Sequence, residues 1–150
     1  MAFRTRGTAI LPLVLLLLTA AAGKVAAQER TLYVRLGGYD AISAVVDDFA
    51  PKLFADPKVG RFFVGMGIDS KEQFKQKNKN LLCNVTGGPC KIISRPAKTA
   101  HAGLGITEED FGIVVRHLVN TLNKFKVPSA EQAELLKIVG SLKVDIVEAK

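Results

Sequence analysis

The sequence contains few of the residues from which metal sites and nucleophile sites are usually built. Among its 150 residues there are only two histidines and two cysteines, and tryptophan is absent. Two histidines exclude a three-histidine zinc site, and neither paired CxxC motifs nor HExxH occurs. The GxSxG elbow, GxxxxGK[ST] and a GxGxxG after a strand are also missing, which sets aside serine hydrolases and nucleotide phosphate loops.

Acidic residues are absent from the first 28 positions, which contain the most apolar part of the chain. Two arginines precede an almost continuous apolar segment from Thr8 to Ala22, and small residues lie at Ala26 and Ala27. This layout predicts a secretory signal over residues 1–27, cleaved after Ala27. A retained membrane anchor is the alternative, although the run is shorter than the roughly 20 apolar residues that a bilayer core requires. We therefore expect an exported protein, periplasmic or secreted, without a membrane attachment after cleavage.

The mature part, residues 28–150, has too little clustered positive charge for a nucleic-acid partner. Cleavage removes three bases and no acid, which lowers the formal net charge from +7 to +4. The remaining bases form no stripe interleaved with stacking aromatic residues. The length is that of one domain, and no internal repeat or linker divides it.

Apolar spacing predicts an all-α chain, because no segment longer than a few residues alternates with period two. The clearest stripe predicts a helix from Asp40 to Phe54, and Pro51 favours a kink or an early end there. The residues of this stripe are Ile42, Val45, Val46, Phe49 and Leu53.

Capping signals predict where the other helices begin. A short segment follows Asp56-Pro57 to Phe62-Phe63, and Asp69 or Ser70 is placed to cap a helix that continues to about Val85. Thr107 with Asp110 resembles a capping box for a helix through Lys124. Ser129 with Gln132 repeats the pattern for a last helix to about Glu148.

Cys83 and Cys90 lie on either side of the turn Gly87-Gly88-Pro89, with six residues between them. An even pair at short range in an oxidising compartment favours a disulfide across the turn. Two buried free thiols that pack as small apolar side chains are the alternative, and both interpretations stay open at this point.

His101 is the most informative single residue, in a glycine-rich stretch from Lys98 to Thr107. Neutral imidazole is a good ligand for transition metals, and a single axial histidine suits haem, whose porphyrin supplies four further ligands. CxxCH is absent, so such a haem would be bound non-covalently. A solvated or hydrogen-bonded loop histidine is the alternative. His117, within the predicted helix after Thr107, is interpreted as a structural or surface residue.

Four motifs together resemble the group I truncated haemoglobins over essentially the whole mature chain. Their order and spacing match the family, which implies a two-over-two helical sandwich around haem and a very short helix that carries the proximal histidine. The matching segments are Leu32-Tyr33-Val34-Arg35-Leu36-Gly37-Gly38, Phe62-Phe63, Gly87-Gly88-Pro89 and Ala100-His101-Ala102-Gly103-Leu104-Gly105-Ile106.

The resemblance assigns roles to five residues around a non-covalent haem b. His101 corresponds to the proximal iron ligand, and Phe63 to the phenylalanine against the haem face. Phe74 and Asn78 take distal positions, where the Asn78 amide could donate to bound oxygen. Lys77 corresponds to a base near a haem propionate. The alternatives are core packing for Phe63, an exposed helical amide for Asn78 and a solvated side chain for Lys77.

Three departures from the family pattern affect the expected chemistry. Ala50 stands where group I members typically have a tyrosine that holds bound oxygen. Ile92-Ile93-Ser94 replaces the usual Tyr-Thr-Gly, and Ala97 replaces a methionine before the proximal histidine. If Asn78 does not substitute for the tyrosine, the resemblance implies rapid loss of oxygen and easier oxidation of the iron.

The resemblance implies a haem protein that binds oxygen, nitric oxide or another diatomic gas reversibly. A nitric oxide dioxygenase is the main alternative, and it would need an electron-donor protein outside the cytoplasm. The third interpretation is a globin-shaped domain that no longer holds haem, or uses it only as a sensor. The presence of His101 and Phe63 argues against complete loss of haem.

Overall fold

A computed structural model describes residues 30–148, and the predicted signal over residues 1–27 lies outside them. No strand occurs within the described residues, so the all-α prediction is confirmed. No helix in that range combines the length and apolar character needed to cross a membrane. The helices are α1 (Leu32–Arg35), α2 (Gly38–Ala55), a 3-10 helix (Val59–Phe63), α3 (Ile68–Val85), α4 (Ala97–His101), α5 (Glu108–Lys124), α6 (Ser129–Ser141) and α7 (Lys143–Ile146).

The apolar stripe predicted for α2 is buried as expected. Its five members are all buried, together with Ala50, which has no exposed surface. The early end at Pro51 is wrong, because α2 continues to Ala55. Leu53 lies beyond the proline and is buried in the main core, so its burial favours continuing the helix despite the lost backbone hydrogen bond.

Two predicted helix starts are misplaced. Helix α3 begins at Ile68 after Gly67, and neither Asp69 nor Ser70 caps it. Asp69 lies in the first turn instead, where its negative charge is favourable near the positive end of the helix. Helix α6 begins at Ser129 itself, without a side-chain cap.

The capping box at the start of α5 is confirmed. Asp110 N donates to Thr107 Oγ1 at 3.1 Å, and Thr107 N donates to Asp110 Oδ2 at 3.0 Å. The last predicted helix is divided, because α6 ends at Ser141 and α7 follows. Gly140 and Ser141 are weak helix formers, and Ser141 Oγ donates to the Ile138 carbonyl at 2.6 Å.

The core lies among the longer helices α2, α3, α5 and α6. Helix α2 packs against α3 and α5, α5 packs against α6, and α1 joins α2 to α6. The main cluster contains apolar residues from α1, α2, the 3-10 helix, α5 and α6: Leu32, Val45, Phe49, Leu53, Val59, Ile113, Leu118, Leu122 and Leu135. A second cluster of Ile42, Val46 and Cys83 lies between α2 and α3.

Cys83 and Cys90 form a disulfide, with their α-carbons 5.7 Å apart. This resolves the choice between a bridge and two free thiols in favour of the bridge. Cys83 is fully buried at the end of α3 and Cys90 begins the segment that leads to α4. The bond therefore fixes one end of that segment to α3.

Carboxylates join the helices on the α2 and α5 side of the molecule. Asp48 accepts from Lys124 and Lys52, and these hydrogen bonds lower the pKa of its carboxyl to about 2. Asp56 Oδ2 lies 2.8 Å from Nε2 of His117. This hydrogen bond is the main reason why the pKa of the Asp56 carboxyl is lowered to about 2. His117 is therefore a structural residue, as predicted.

Asp110 connects the start of α5 to the 3-10 helix. Arg61 Nη2 donates to Asp110 Oδ2 at 2.7 Å, and this contact is the first cause that lowers the pKa of the buried carboxyl to about 2. The guanidinium of Arg61 also lies over the Phe62 ring, 4.3 Å from its centroid. Phe62 packs against the main cluster, in agreement with its predicted core role.

Candidate functional site

His101 is the last residue of α4, a helix of five residues that presents the imidazole partly buried. Its Nδ1 lies 2.7 Å from the carbonyl oxygen of Ala97. Because a carbonyl can only accept, Nδ1 must carry the proton, and the neutral ring then keeps a lone pair on Nε2. This is the arrangement that orients a histidine for coordination through Nε2.

Three phenylalanine rings form a cluster where α2, the 3-10 helix and α3 meet. The Phe63 and Phe74 centroids lie 5.2 Å apart, and Phe54 lies 5.0 Å from Phe63 and 5.5 Å from Phe74. All three pairs are edge-to-face, the geometry that the charge distribution of aromatic rings favours. The two rings predicted for the site are therefore in contact, and both also pack against the main core.

The two polar residues of α3 predicted for the site, Asn78 and Lys77, differ in their contacts. Asn78 Nδ2 donates to the Phe74 carbonyl, 2.8 Å away, which leaves the second amide hydrogen for another acceptor. Lys77 is exposed, and no ion pair to it occurs among the described residues. The lysines two positions before and after it are both paired with Asp47.

Ala50 and Phe54 lie one turn apart on α2, and Ala50 occupies the position at which the resemblance would place a tyrosine. Ala50 has no exposed surface, so a larger ring there would require packed atoms to move. Phe54 supplies an aromatic ring to the same helix face and carries no hydroxyl. Of Phe74 and Asn78, the two residues predicted to take distal positions, only Asn78 has a side-chain hydrogen-bond donor.

Exposed apolar side chains are concentrated on the segments that adjoin α3 and α4. Five of the eight large exposed apolar residues of the described chain lie between positions 64 and 104. Val64 and Ile68 are 83% and 82% exposed, and Ile93 and Leu104 are 73% and 46% exposed. Covering apolar surface contributes about 25 cal/mol per Å². A flat hydrophobic cofactor between α3 and α4 would gain from this surface, and the two helices form no extended interface with each other.

The same part of the chain is strongly basic. Residues 73–107 contain six lysines and arginines and no acid, whereas the rest of residues 28–150 contains twelve bases and fourteen acids. Lys91, Arg95 and Lys98 are exposed, and no ion pair to them occurs in the described part. An anionic group on a bound cofactor would be attracted to this segment.

The backbone after α4 is held by the end of the chain. Glu148 Oε1 accepts from Gly103 N and Glu148 Oε2 accepts from Gly105 N, both at 2.7 Å. These two hydrogen bonds are the first causes that hold the pKa of the Glu148 carboxyl below its ordinary value. Helix α4 packs against α7, which precedes Glu148.

Sequence reasoning missed two residues of this region. Phe54 was identified only as the end of a helix, although its position one turn after Ala50 is a usable signal. Glu148 has no comparable signal, because a lone acid near the end of a chain does not indicate which backbone amides it meets. Within the described residues, no hydrogen bond, ion pair or ring contact joins His101 to Phe63, Phe74, Lys77 or Asn78.

The residues present fit haem better than a bare metal ion. No group of three or more His, Cys, Asp and Glu within residues 30–148 could hold a metal. One oriented histidine, exposed apolar side chains and unpaired bases together match an iron porphyrin with anionic propionates, which brings its own equatorial ligands.

Comparison with known proteins agrees with this fit. The family model for bacterial-like globins matches residues 31–148. The group 1 truncated haemoglobin GlbN of Mycolicibacterium paratuberculosis is 32% identical over 120 residues, which cover 80% of this chain and 86% of that protein. GlbN of Synechocystis is 31% identical over 115 residues, which cover 74% and 90% of the two chains.

Solved structures show the same fold. The Fe(III) form of truncated haemoglobin from Tetrahymena pyriformis superposes with a TM-score of 0.73 at 26% identity, over 79% of this chain and 98% of that one. The 2/2 haemoglobin from a Synechococcus species, in the cyanomet state with covalently attached haem, gives 0.71 at 31% identity over the same shares. The two-over-two arrangement is therefore confirmed.

The chain belongs to the bacterial-like globins and, within them, to the group 1 truncated haemoglobins. It is a haem protein that binds diatomic gas. We call α2, the 3-10 helix and α3, with their aromatic cluster, the distal side. The proximal side means α4 and the segment that follows it to Thr107.

Proposed function

We propose that His101 is the proximal ligand of a non-covalently bound haem b in an exported protein that binds its gas reversibly. The hydrogen bond from His101 Nδ1 to the Ala97 carbonyl carries the proposal, because it leaves Nε2 to coordinate. Haem supplies a ferrous iron that coordinates the gas. The chain holds the haem, orients the imidazole and shapes the space on the distal side.

The distal residues favour rapid release of oxygen. Ala50 offers no hydroxyl, and Phe74 offers only a ring edge in the aromatic cluster. Asn78 has one amide hydrogen left after its bond to the α3 backbone. A good donor to a polarised ligand contributes roughly 1–3 kcal/mol, which changes its dissociation rate about ten- to hundredfold. A single amide hydrogen places this protein at the weak end of that range.

The proximal assignment is tested with the two histidines of the chain as a matched pair. Absorption spectra of the haem-loaded protein from Gln28 onward would be recorded in ferric, ferrous and carbon monoxide forms. We expect His101→Ala to lose or alter the haem spectrum and added imidazole to restore it, whereas His117→Ala keeps the original spectrum. An unchanged spectrum in His101→Ala would overturn the assignment.

Nitric oxide dioxygenase activity is the second candidate, favoured by the exposed bases Lys77, Lys91, Arg95 and Lys98. An acidic electron-donor protein would be attracted to this side and could restore ferrous iron. The reaction consumes oxygen, nitric oxide and one electron and yields nitrate, and the donor protein supplies the electron. Nitrate well above one equivalent per haem, with a reductant supplied, would support the enzyme. A single equivalent would leave reversible gas binding as the function.

We also propose export, on the charged, apolar and small-residue pattern of residues 1–27. The Cys83–Cys90 disulfide supports this location, because such bonds persist in oxidising compartments. Expression of the full chain in a Gram-negative bacterium, followed by N-terminal analysis, should give protein that begins at Gln28 outside the cytoplasm. Uncleaved chain in the membrane fraction would support the retained anchor instead.

A further inference from the structure

Residues 102–105, which directly follow the predicted proximal histidine, are all exposed. Gly103 and Gly105 adopt positive φ values of 80° and 63°, and no atom beyond the adjacent residues lies within 4 Å of where a β-carbon would stand at either position. Leu104 between them is 46% exposed. Side-chain contacts therefore do not fix the backbone immediately after His101.

Helix α4 is also too short to fix the histidine alone. It has five residues, and isolated helices of that length are unstable in water because the first turn is costly to form. The hydrogen bond from His101 to Ala97 lies inside this helix, so it orients the ring relative to α4 only. The position of the ring in the protein depends on what holds α4 and the segment after it.

Glu148 supplies that support from the end of the chain. Both of its carboxylate oxygens accept backbone hydrogen bonds at 2.7 Å, from Gly103 and from Gly105. Its own backbone N–H donates to the Ile106 carbonyl at 2.9 Å. Three bonds from one residue therefore fix the segment between two and five positions after His101. Hydrogen bonds to a charged carboxylate are about twice as strong as neutral ones.

We propose that Glu148 is a positioning residue for the proximal histidine. Its carboxylate fixes the backbone turn after α4, and the turn fixes the depth and orientation at which the His101 imidazole meets the haem iron. The inference rests on His101 as the ligand, as proposed above. It assigns a role in haem binding to the end of the chain, outside the helices that carry the other predicted site residues.

The test compares Glu148→Gln with Asp145→Asn in the haem-loaded protein from Gln28 onward. Glutamine keeps the size of the side chain but offers one acceptor oxygen in place of two, so one of the two backbone bonds is lost. Asp145 is an exposed acid in the adjacent α7 and serves as the matched control. Glu148→Ala, which removes both bonds, shows whether the effect grows as they are lost.

Three readouts are measured on each variant. Hydrogen exchange at the Gly103 and Gly105 amides should quicken about ten- to hundredfold in Glu148→Ala, and less in Glu148→Gln. Haem transfer to an excess of apomyoglobin should become roughly tenfold faster, as is typical when a residue that supports a metal ligand is lost. The iron–histidine stretching band of the ferrous protein should shift or broaden in resonance Raman spectra. Asp145→Asn should match the original protein in all three.

Faster amide exchange with an unchanged iron–histidine band and haem-transfer rate would overturn the proposal, because the turn would then be held without affecting the histidine. Unchanged amide exchange in Glu148→Ala would also overturn the proposal, because Glu148 would then not hold the turn. Failure of the underlying assignment is visible separately, as an unaltered spectrum in His101→Ala, and would remove the basis of both proposals.

Discussion

The distal and proximal sides of the haem site are held in place by different interactions. On the distal side, three phenylalanine rings pack edge to face beside a large buried core. On the proximal side, a helix of five residues is followed by two glycines with positive φ, and a single carboxylate holds the turn. Burial stabilises the first side, whereas charge-assisted hydrogen bonds stabilise the second.

This difference separates the stability of the fold from the affinity for haem. Changes on the distal side remove core contacts that the protein has with or without its cofactor. Changes on the proximal side alter residues that contribute little to the core but lie next to the predicted ligand. Substitutions on the distal side should therefore lower mainly the stability of the fold, and substitutions on the proximal side should lower mainly the retention of haem.

The largest expected effect comes from a matched pair of leucines. Leu53 is 2% exposed in α2 and Leu104 is 46% exposed after α4. In the haem-free protein, Leu53→Ala should lower the free energy of unfolding by about 2–5 kcal/mol. Leu104→Ala should change it by less than about 0.5 kcal/mol. Urea unfolding measures both values, and a loss for Leu104→Ala as large as that for Leu53→Ala would contradict the comparison.

An effect of intermediate size is expected at Asp48, on the loss of stability in acid. The pKa of Asp48 is about 2 in the folded protein, below the ordinary value of 3.8, so its contribution is present above about pH 4 and is lost as the pH falls toward 2. Asp48→Asn should therefore weaken the dependence of stability on pH in this window by roughly one proton.

Unfolding at a series of pH values from 7 to 2 measures this dependence. The control is Asp145→Asn on α7, which is exposed and has no ion pair in the described structure. It should leave the slope as it is. If Asp48→Asn leaves the slope unchanged, the contacts from Lys124 and Lys52 do not lower the pKa of this carboxyl.

The smallest effect is expected at Asn78. Replacing it with leucine removes the remaining amide hydrogen and should speed oxygen dissociation by no more than about tenfold, which corresponds to one ordinary hydrogen bond. Stopped-flow measurement of oxygen release tests this, with Asp145→Asn on α7 as the control. An unchanged rate in Asn78→Leu would identify Asn78 as a helix-surface amide that takes no part in gas binding.

Features with a local physical cause were predictable from the sequence. The buried stripe of α2 follows from helical periodicity, and the Thr107–Asp110 capping box follows from two side chains that bond each other's backbone. The motifs that resemble the family also indicated the two-over-two arrangement. In each case the residues that decide the structure are close in sequence, or recur at a fixed spacing.

Features that depend on distant contacts were not predictable in the same way. Periodicity places Leu53 on the stripe, but α2 passes Pro51 because Leu53 is buried against residues of other helices, which the sequence around the proline does not show. The hydrogen bonds of Glu148 to the turn after His101 join parts of the chain more than forty residues apart. The position of Phe54 against Phe63 and Phe74 likewise requires three elements to be assembled.

The Cys83–Cys90 disulfide limits how far the two sides can separate. Cys90 is fixed to α3, and only residues 91–96 connect it to α4. A fully extended chain advances about 3.5 Å per residue, so the start of α4 can lie no more than about 25 Å from Cys90. Reduction of the disulfide would leave Cys90 free of α3, and the connection between α3 and α4 would then comprise residues 86–96. The bond therefore sets an upper limit on the distance between the end of α3 and the start of α4, the helix that carries His101.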